Sequence, residues 1–363
     1  MTGLGNTLAA LKARQDGQSS GGRGGRLVDV PRFGTNPGEL RMLMYAPVSR
    51  SPRAPLVVVL HGCTQGAADY AEPAGWLDLA ERFGFVVVAP EQTRQNNPNL
   101  CFNWYQQNDV QKGQGEAQSV AQMVSHAIAR LGLDGRRVFV TGLSAGGAMA
   151  NVMLATYPEL FAGGAIVAGL PYGVANTVGD AFQVMAMETP PRPELLGDLV
   201  RDATEHRGPW PTVSVWHGRA DHVVRPGAGA AVAAQWRDVH GATGPARRAR
   251  TPDGRDFQLW LSPGGDPVVE MHSIAGLGHG AAIKSDGVDS FGSVSRYTPD
   301  VGVASSYEIA MSWGLAEPVP ESAGAEADPV GPPAATTSAT RPPEDPSIKG
   351  VIDNALRAAG LVK

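Results

Sequence analysis

The sequence is poor in cysteine and aromatic residues and has no long apolar run. Two cysteines, Cys63 and Cys101, allow at most one intrachain disulfide, and they could equally be two buried thiols, so cysteine content leaves the compartment open. No apolar stretch reaches the roughly 20 residues that a membrane-spanning helix needs, which points away from a membrane partner. The first 17 residues carry Leu4, Leu8 and Leu11 but no basic segment followed by a continuous apolar one, so no secretory signal is visible. Charge is close to balance. With 35 acidic and 30 basic residues the net charge is −5, which argues against nucleic acid as the main partner. The Gly-Arg piece at 21–26 reads as a flexible connector rather than an RNA-contacting tail. Internal repeats are absent.

What is present is enough for one large core. The chain has 363 residues, 42% of them hydrophobic, which suits a soluble globular domain of the α/β kind. Residues 1–26 read as a flexible N-terminal segment, 27–316 as the catalytic domain, 317–346 as a Pro/Ala-rich linker and 347–363 as a C-terminal amphipathic helix. Continuous apolar runs at 56–60, 85–89, 138–141, 165–168 and 212–216 are strands of the sort a parallel sheet covers on both faces. Weaker strand candidates lie at 27–30, 40–45, 257–261 and 268–274. Helical patterns at 74–83, 116–131 and 305–314 alternate with them. Strand alternating with helix predicts a mostly parallel central sheet flanked by helices. The long connection at 176–211, with helical pieces and several prolines, falls where a lid-like insert or substrate wall would sit.

The most informative stretch follows the run at 138–141. Gly142-Leu143-Ser144-Ala145-Gly146 turns sharply between a buried strand and a helix-prone segment, the context of the nucleophile elbow in α/β-hydrolases. The pattern alone is weak, since 46 glycines give roughly 0.3 chance matches in such a chain. Gly17-Gln18-Ser19-Ser20-Gly21 matches it too, without any strand before it. Context selects Ser144.

A serine hydroxyl needs a base, and the base needs an orienting carboxylate. In this fold class the order along the chain is Ser, acid, His. Asp221 lies in the loop after the strand at 212–216 and is the acid candidate, whereas Asp238, Asp253 and Asp266 lie on a helix or in turns. Four histidines follow Asp221. His222 is its immediate neighbour, His240 ends a helix and His272 lies inside a strand. His279, in the loop Gly276-Leu277-Gly278-His279-Gly280 after the last strand, suits the base. The oxyanion of a tetrahedral intermediate needs two N–H donors. Ala145 after the nucleophile is one, and Cys63, in the turn His61-Gly62-Cys63 after the strand at 56–60, is the other.

Four separated motifs resemble the PHB depolymerase family of esterases, of the short-chain polyhydroxyalkanoate depolymerase type related to feruloyl and acetylxylan esterases. They are Leu60-His61-Gly62-Cys63-Thr64-Gln65, Pro98-Asn99-Leu100-Cys101-Phe102-Asn103-Trp104, Gly142-Leu143-Ser144-Ala145-Gly146-Gly147 and Ala168-Gly169-Leu170-Pro171-Tyr172-Gly173, in family order over roughly residues 55–315. The resemblance implies an α/β-hydrolase fold and ester hydrolysis through Ser144, Asp221 and His279, with no metal or other cofactor. It also implies a Cys63–Cys101 disulfide, with Trp104 and Tyr105 lining the substrate groove. By resemblance the protein is extracellular, with a cytoplasmic location as the alternative because no signal is visible.

The chain departs from the family pattern in three places. Val174 stands where some relatives have a further cysteine, and Gly280-Ala281-Ala282 replaces the Trp-Pro-Gly that follows the histidine in others. The piece after the linker is too short for a polymer-binding domain, which favours soluble oligomers and short-chain esters over crystalline polymer. The expected function is therefore serine ester hydrolysis of short-chain hydroxyalkanoate substrates. The alternatives are a feruloyl or acetylxylan esterase, a peptidase of the prolyl-oligopeptidase kind, and a catalytically silent binding protein. Oligomeric state is not legible.

Overall fold

The computed structural model describes residues 25–251 and 254–319. The flexible segment expected at 1–26 and the linker at 317–346 lie outside the described residues except for 25–26 and 317–319, and the helix expected at 347–363 lies wholly outside.

Ten strands form one sheet among the described residues. In chain order they are β1 (Val28–Asp29), β2 (Arg41–Tyr45), β3 (Leu56–Leu60), β4 (Val86–Glu91), β5 (Val138–Leu143), β6 (Gly163–Val167), β7 (Thr212–Gly218), β8 (Arg247–Arg250), β9 (Asp256–Leu261) and β10 (Pro267–Ile274). Across the sheet they run β1-β2-β4-β3-β5-β6-β7-β10-β9-β8. The middle, from β4 to β10, is parallel, and both margins are antiparallel.

Sequence explains this division. The interior strands β3 and β5 are buried at every position, as parallel strands covered on both faces must be. Successive side chains of β3 enter opposite cores: Leu56, Val58 and Leu60 join one cluster, Val57 and Val59 the other. On the first face lie α3 (Gly115–Leu131), α4 (Ala145–Thr156) and α7 (Pro226–Val239), and on the second α1 (Ala67–Ala71), α2 (Trp76–Phe83) and α8 (Ser305–Ser312). The edge strand β8 exposes Arg247, Arg248 and Arg250, charges that discourage pairing with another chain.

The insert at 176–211 contains α5 (Val178–Met185) and α6 (Pro193–Asp202). A capping box starts α5: Asp180 N–H donates to Thr177 Oγ1 at 3.1 Å and Thr177 N–H donates to Asp180 Oδ2 at 3.0 Å. Most expected elements shift at an end by one or two residues, the strand at 165–168 to Gly163–Val167 and the helix at 305–314 to Ser305–Ser312 among them. The helix expected from 74 begins at Trp76, because Gly75 has φ 84°, and the strand expected at 85–89 occupies Val86–Glu91. Helix α1 and strand β8 were not expected; one is a single turn and the other is rich in arginine, so neither carries apolar periodicity.

Candidate active site

The loops that follow β3, β4, β5, β7 and β10 carry the candidate residues. All five lie at the carboxyl ends of parallel strands, where open α/β sheets place their ligands.

Between β5 and α4, Ser144 is held at φ 59° and ψ −118°, backbone space that non-glycine residues rarely occupy. The flanking glycines make this turn possible. A Cβ at 142 would overlap the Gly146 carbonyl oxygen, and one at 146 would overlap the carbonyl oxygens of Leu60 and His61. The Ser144 N–H donates to Val167 O at 2.9 Å, tying the elbow to β6. Ser144 stands at the N-terminus of α4, whose partial positive charge favours developing negative charge there.

The turn after β3 is fixed by buried hydrogen bonds. His61 Nδ1–H donates to Gly62 O at 2.8 Å, its Nε2 accepts the Gln92 N–H at 3.1 Å, and Gly62 N–H donates to Gln65 Oε1 at 2.8 Å. Burial holds the His61 imidazole below its ordinary pKa and therefore neutral. Cys63 and Cys101 form a disulfide with Cα atoms 4.2 Å apart, as the resemblance implied. Among the described residues neither the Cys63 nor the Ala145 N–H has a hydrogen-bond acceptor, so both are free for an oxyanion.

Asp221 and His279 meet. His279 Nδ1–H donates to Asp221 Oδ2 at 2.8 Å, with both side chains buried. The N–H groups of Val223 and Val224 donate to Asp221 Oδ1, each at 2.9 Å. Burial pushes the Asp221 carboxyl up, but the hydrogen bond and charge of His279, with His217 and Val223 behind them, more than offset it and leave it below the carboxylate range. His217 lies 3.5 Å from Asp221 Oδ2 through Nε2, which donates to Val224 O at 2.9 Å. Burial keeps this second histidine neutral. No hydrogen bond joins Ser144 to His279 among the described residues; such contacts are often long in a free enzyme and tighten with substrate.

Ser144, Ala145, Cys63, Trp104 and Tyr105 line one cavity of about 120 Å³. Trp104 is buried and packs edge-on to Tyr105, ring centroids 5.5 Å apart. A further part of the lining is not legible residue by residue in the sequence. It comes from α5, through Val178, Ala181, Phe182 and Met185, and the position of the insert was its only sequence signal. Leu170 and Val224 complete the apolar lining, while Thr64, Asn97 and Asn99 form a polar side.

Known proteins resemble this chain over most of its length. A profile of the esterase PHB depolymerase family matches residues 40–256. A poly(3-hydroxyalkanoate) depolymerase C from Paucimonas lemoignei is 42% identical over 291 residues, 80% of this chain and 70% of that protein. Acetylxylan esterase A from Aspergillus oryzae is 29% identical over 289 residues, 76% of this chain and 91% of the other. The solved acetyl xylan esterase from Aspergillus awamori superposes with a TM-score of 0.66 at 24% identity, covering 80% of this chain and all of that one, which shows the shared α/β-hydrolase fold. With the family profile and the depolymerase relative agreeing, the chain belongs to the esterase PHB depolymerase family.

Proposed function

We propose that this protein is a serine esterase that cleaves esters of short hydroxyalkanoates through an acyl-enzyme, with Ser144 as nucleophile, His279 as base and Asp221 as its orienting acid. The observation that carries this is the Asp221–His279 hydrogen bond of 2.8 Å, which fixes the imidazole proton on Nδ1. Nε2 is then the basic nitrogen and removes the Ser144 proton as Oγ attacks the ester carbonyl. The oxyanion forms between the free N–H groups of Cys63 and Ala145. Collapse expels the alcohol, which takes the proton from His279, and water repeats the sequence to release the acid.

The cavity supports a short acyl group. It measures about 120 Å³, and Phe182 and Met185 line it together with Trp104 and Tyr105, an apolar surround that suits the alkyl part of a short acyl group. The family profile and the depolymerase relative favour the hydroxyalkanoate. An acetyl ester of a carbohydrate fits the same cavity and is the second reading. The disulfide supports an oxidising, extracellular setting.

The test is a p-nitrophenyl acyl series with the matching anilides, a hydroxybutyrate trimer and acetylated xylan, in wild type and Ser144→Ala. Ester cleavage greatest for short chains and the trimer, and lost in the variant, is the expected outcome. Full ester turnover by Ser144→Ala would overturn the mechanism, and preference for acetylated xylan would favour the carbohydrate ester.

A further inference from the structure

The first turn of α3 contributes a carboxyl that the proposed mechanism leaves without a role. Glu116 is fully buried, yet no cation pairs with it among the described residues. Its Oε1 accepts from Gln92 Nε2 at 2.6 Å and Asn96 Nδ2 at 3.1 Å, and its Oε2 accepts from the Asn103 backbone N–H at 2.8 Å.

Each of these partners is fixed as a donor. Gln92 Nε2 also donates to Cys101 O at 3.0 Å while Gln92 Oε1 accepts the Thr93 N–H at 2.9 Å, so its amide cannot turn over without losing both. Asn96 Nδ2 also donates to Gly38 O at 3.0 Å, and the third donor is main chain. The position therefore requires an acceptor oxygen on both arms, which a carboxyl supplies with or without its proton and an amide does not.

From Glu116 the bonds lead to both sides of the cavity. Gln92 donates its own N–H to His61 Nε2, and His61 donates to Gly62 O, immediately before Cys63. Asn103 immediately precedes Trp104 and Tyr105. Keeping an unpaired carboxyl in the interior is costly. Burial, with the carboxyl of Asp109 second, raises its pKa to about 8 against the pull of its donors. An apolar residue of the same size would leave three buried donors without an acceptor, so the carboxyl's value lies in what it holds.

We propose that Glu116 is a positioning residue for ester hydrolysis, holding the oxyanion turn around Cys63 and the aromatic segment around Trp104 in register across the cavity. The proposal rests on the esterase reading above.

Glu116→Gln tests it, because the shape is kept while either orientation of the new amide sets an NH2 against a fixed donor. Activity is measured per active site, titrated with a fluorophosphonate, so a smaller folded fraction does not register. We expect kcat to fall about tenfold to a hundredfold with a smaller change in KM, the pattern of a misplaced transition-state contact. We also expect dithiothreitol to reduce the Cys63–Cys101 bond several times faster. A kcat and KM per titrated site within about twofold of wild type would overturn the proposal. If Glu116→Gln does not fold, Gln92→Met removes two donors of the same network; the same kcat loss supports the proposal and an unchanged kcat overturns it. Should the wild-type protein prove inactive on esters, the esterase reading fails, and an unchanged disulfide reduction rate then overturns the hold of Glu116 on the segment as well.

Discussion

The Asp221 carboxylate accepts three hydrogen bonds at once, one from His279 Nδ1 at 2.8 Å and two from the backbone of Val223 and Val224 at 2.9 Å. One oxygen is used to orient the imidazole and the other to lock the loop that carries the acid. The position and tautomer of His279 are thus set by a group that is itself immobilised.

Asp221→Asn keeps an oxygen for the Val223 and Val224 N–H groups but sets an NH2 against His279 Nδ1, which favours the imidazole tautomer with its proton on Nε2. We expect kcat to fall on the order of ten-thousandfold, since the imidazole loses the partner that selects its tautomer. The same carboxyl has a pKa held below the ordinary 3.8, so its stabilising contribution is present above 3.8 and lost as pH falls through the folded value. Urea unfolding followed downward from pH 3.8 should show the wild type losing stability faster than the variant.

Gly146→Ala puts a methyl group against the carbonyl oxygens of Leu60 and His61. Either the α4 start or the oxyanion turn has to retreat. We expect a loss of about 3 kcal/mol in chemical denaturation, at the upper end for overpacking, together with loss of esterase activity. Unchanged stability would show that the elbow is looser than the structure indicates.

The disulfide joins residues 38 apart in sequence. Closing a loop of that size in the unfolded chain stabilises the fold by about 4 kcal/mol on the chain-entropy estimate. Cys63→Ser combined with Cys101→Ser should lose a comparable amount in guanidinium titrations. Its kcat should fall too, because the Cys63 donor loses its tether.

Phe182 and Met185 form part of the cavity wall on α5. Truncating either to alanine lengthens the space available beyond Ser144. Relative kcat/KM for octanoate over butyrate esters should rise about tenfold, the worth of contacts with one or two methylenes. An unchanged chain-length profile would mean that the acyl group lies elsewhere.

Much of this organisation is legible in the chain because it repeats over several residues. The apolar runs of β3 and β5 are continuous, and the glycines at 142 and 146 mark a turn that no other residue permits. Asp221 and His279 were selected by loop position, and the structure joins them by a hydrogen bond. The wall from α5 was legible as an insert but not as particular residues, because Val178, Phe182 and Met185 read equally well as ordinary helix packing. Glu116 was invisible. A glutamate in the first turn of a helix is commonplace, and its three donors come from positions 92, 96 and 103, which only the folded chain gathers. The edge strand β8 was equally hidden, since three arginines in four residues carry no signal of burial.

The strand order has a consequence for how the protein matures. Elbow, oxyanion turn and aromatic segment all come from the first half of the chain, whereas His279 follows β10, which pairs with β7 and is contributed late. A nascent polypeptide that has emerged only as far as β7 would hold the nucleophile and its cradle without any base to arm it. On the proposed roles, hydrolytic competence would therefore wait until β10 has docked beside β7, however early the nucleophile and its cradle had folded.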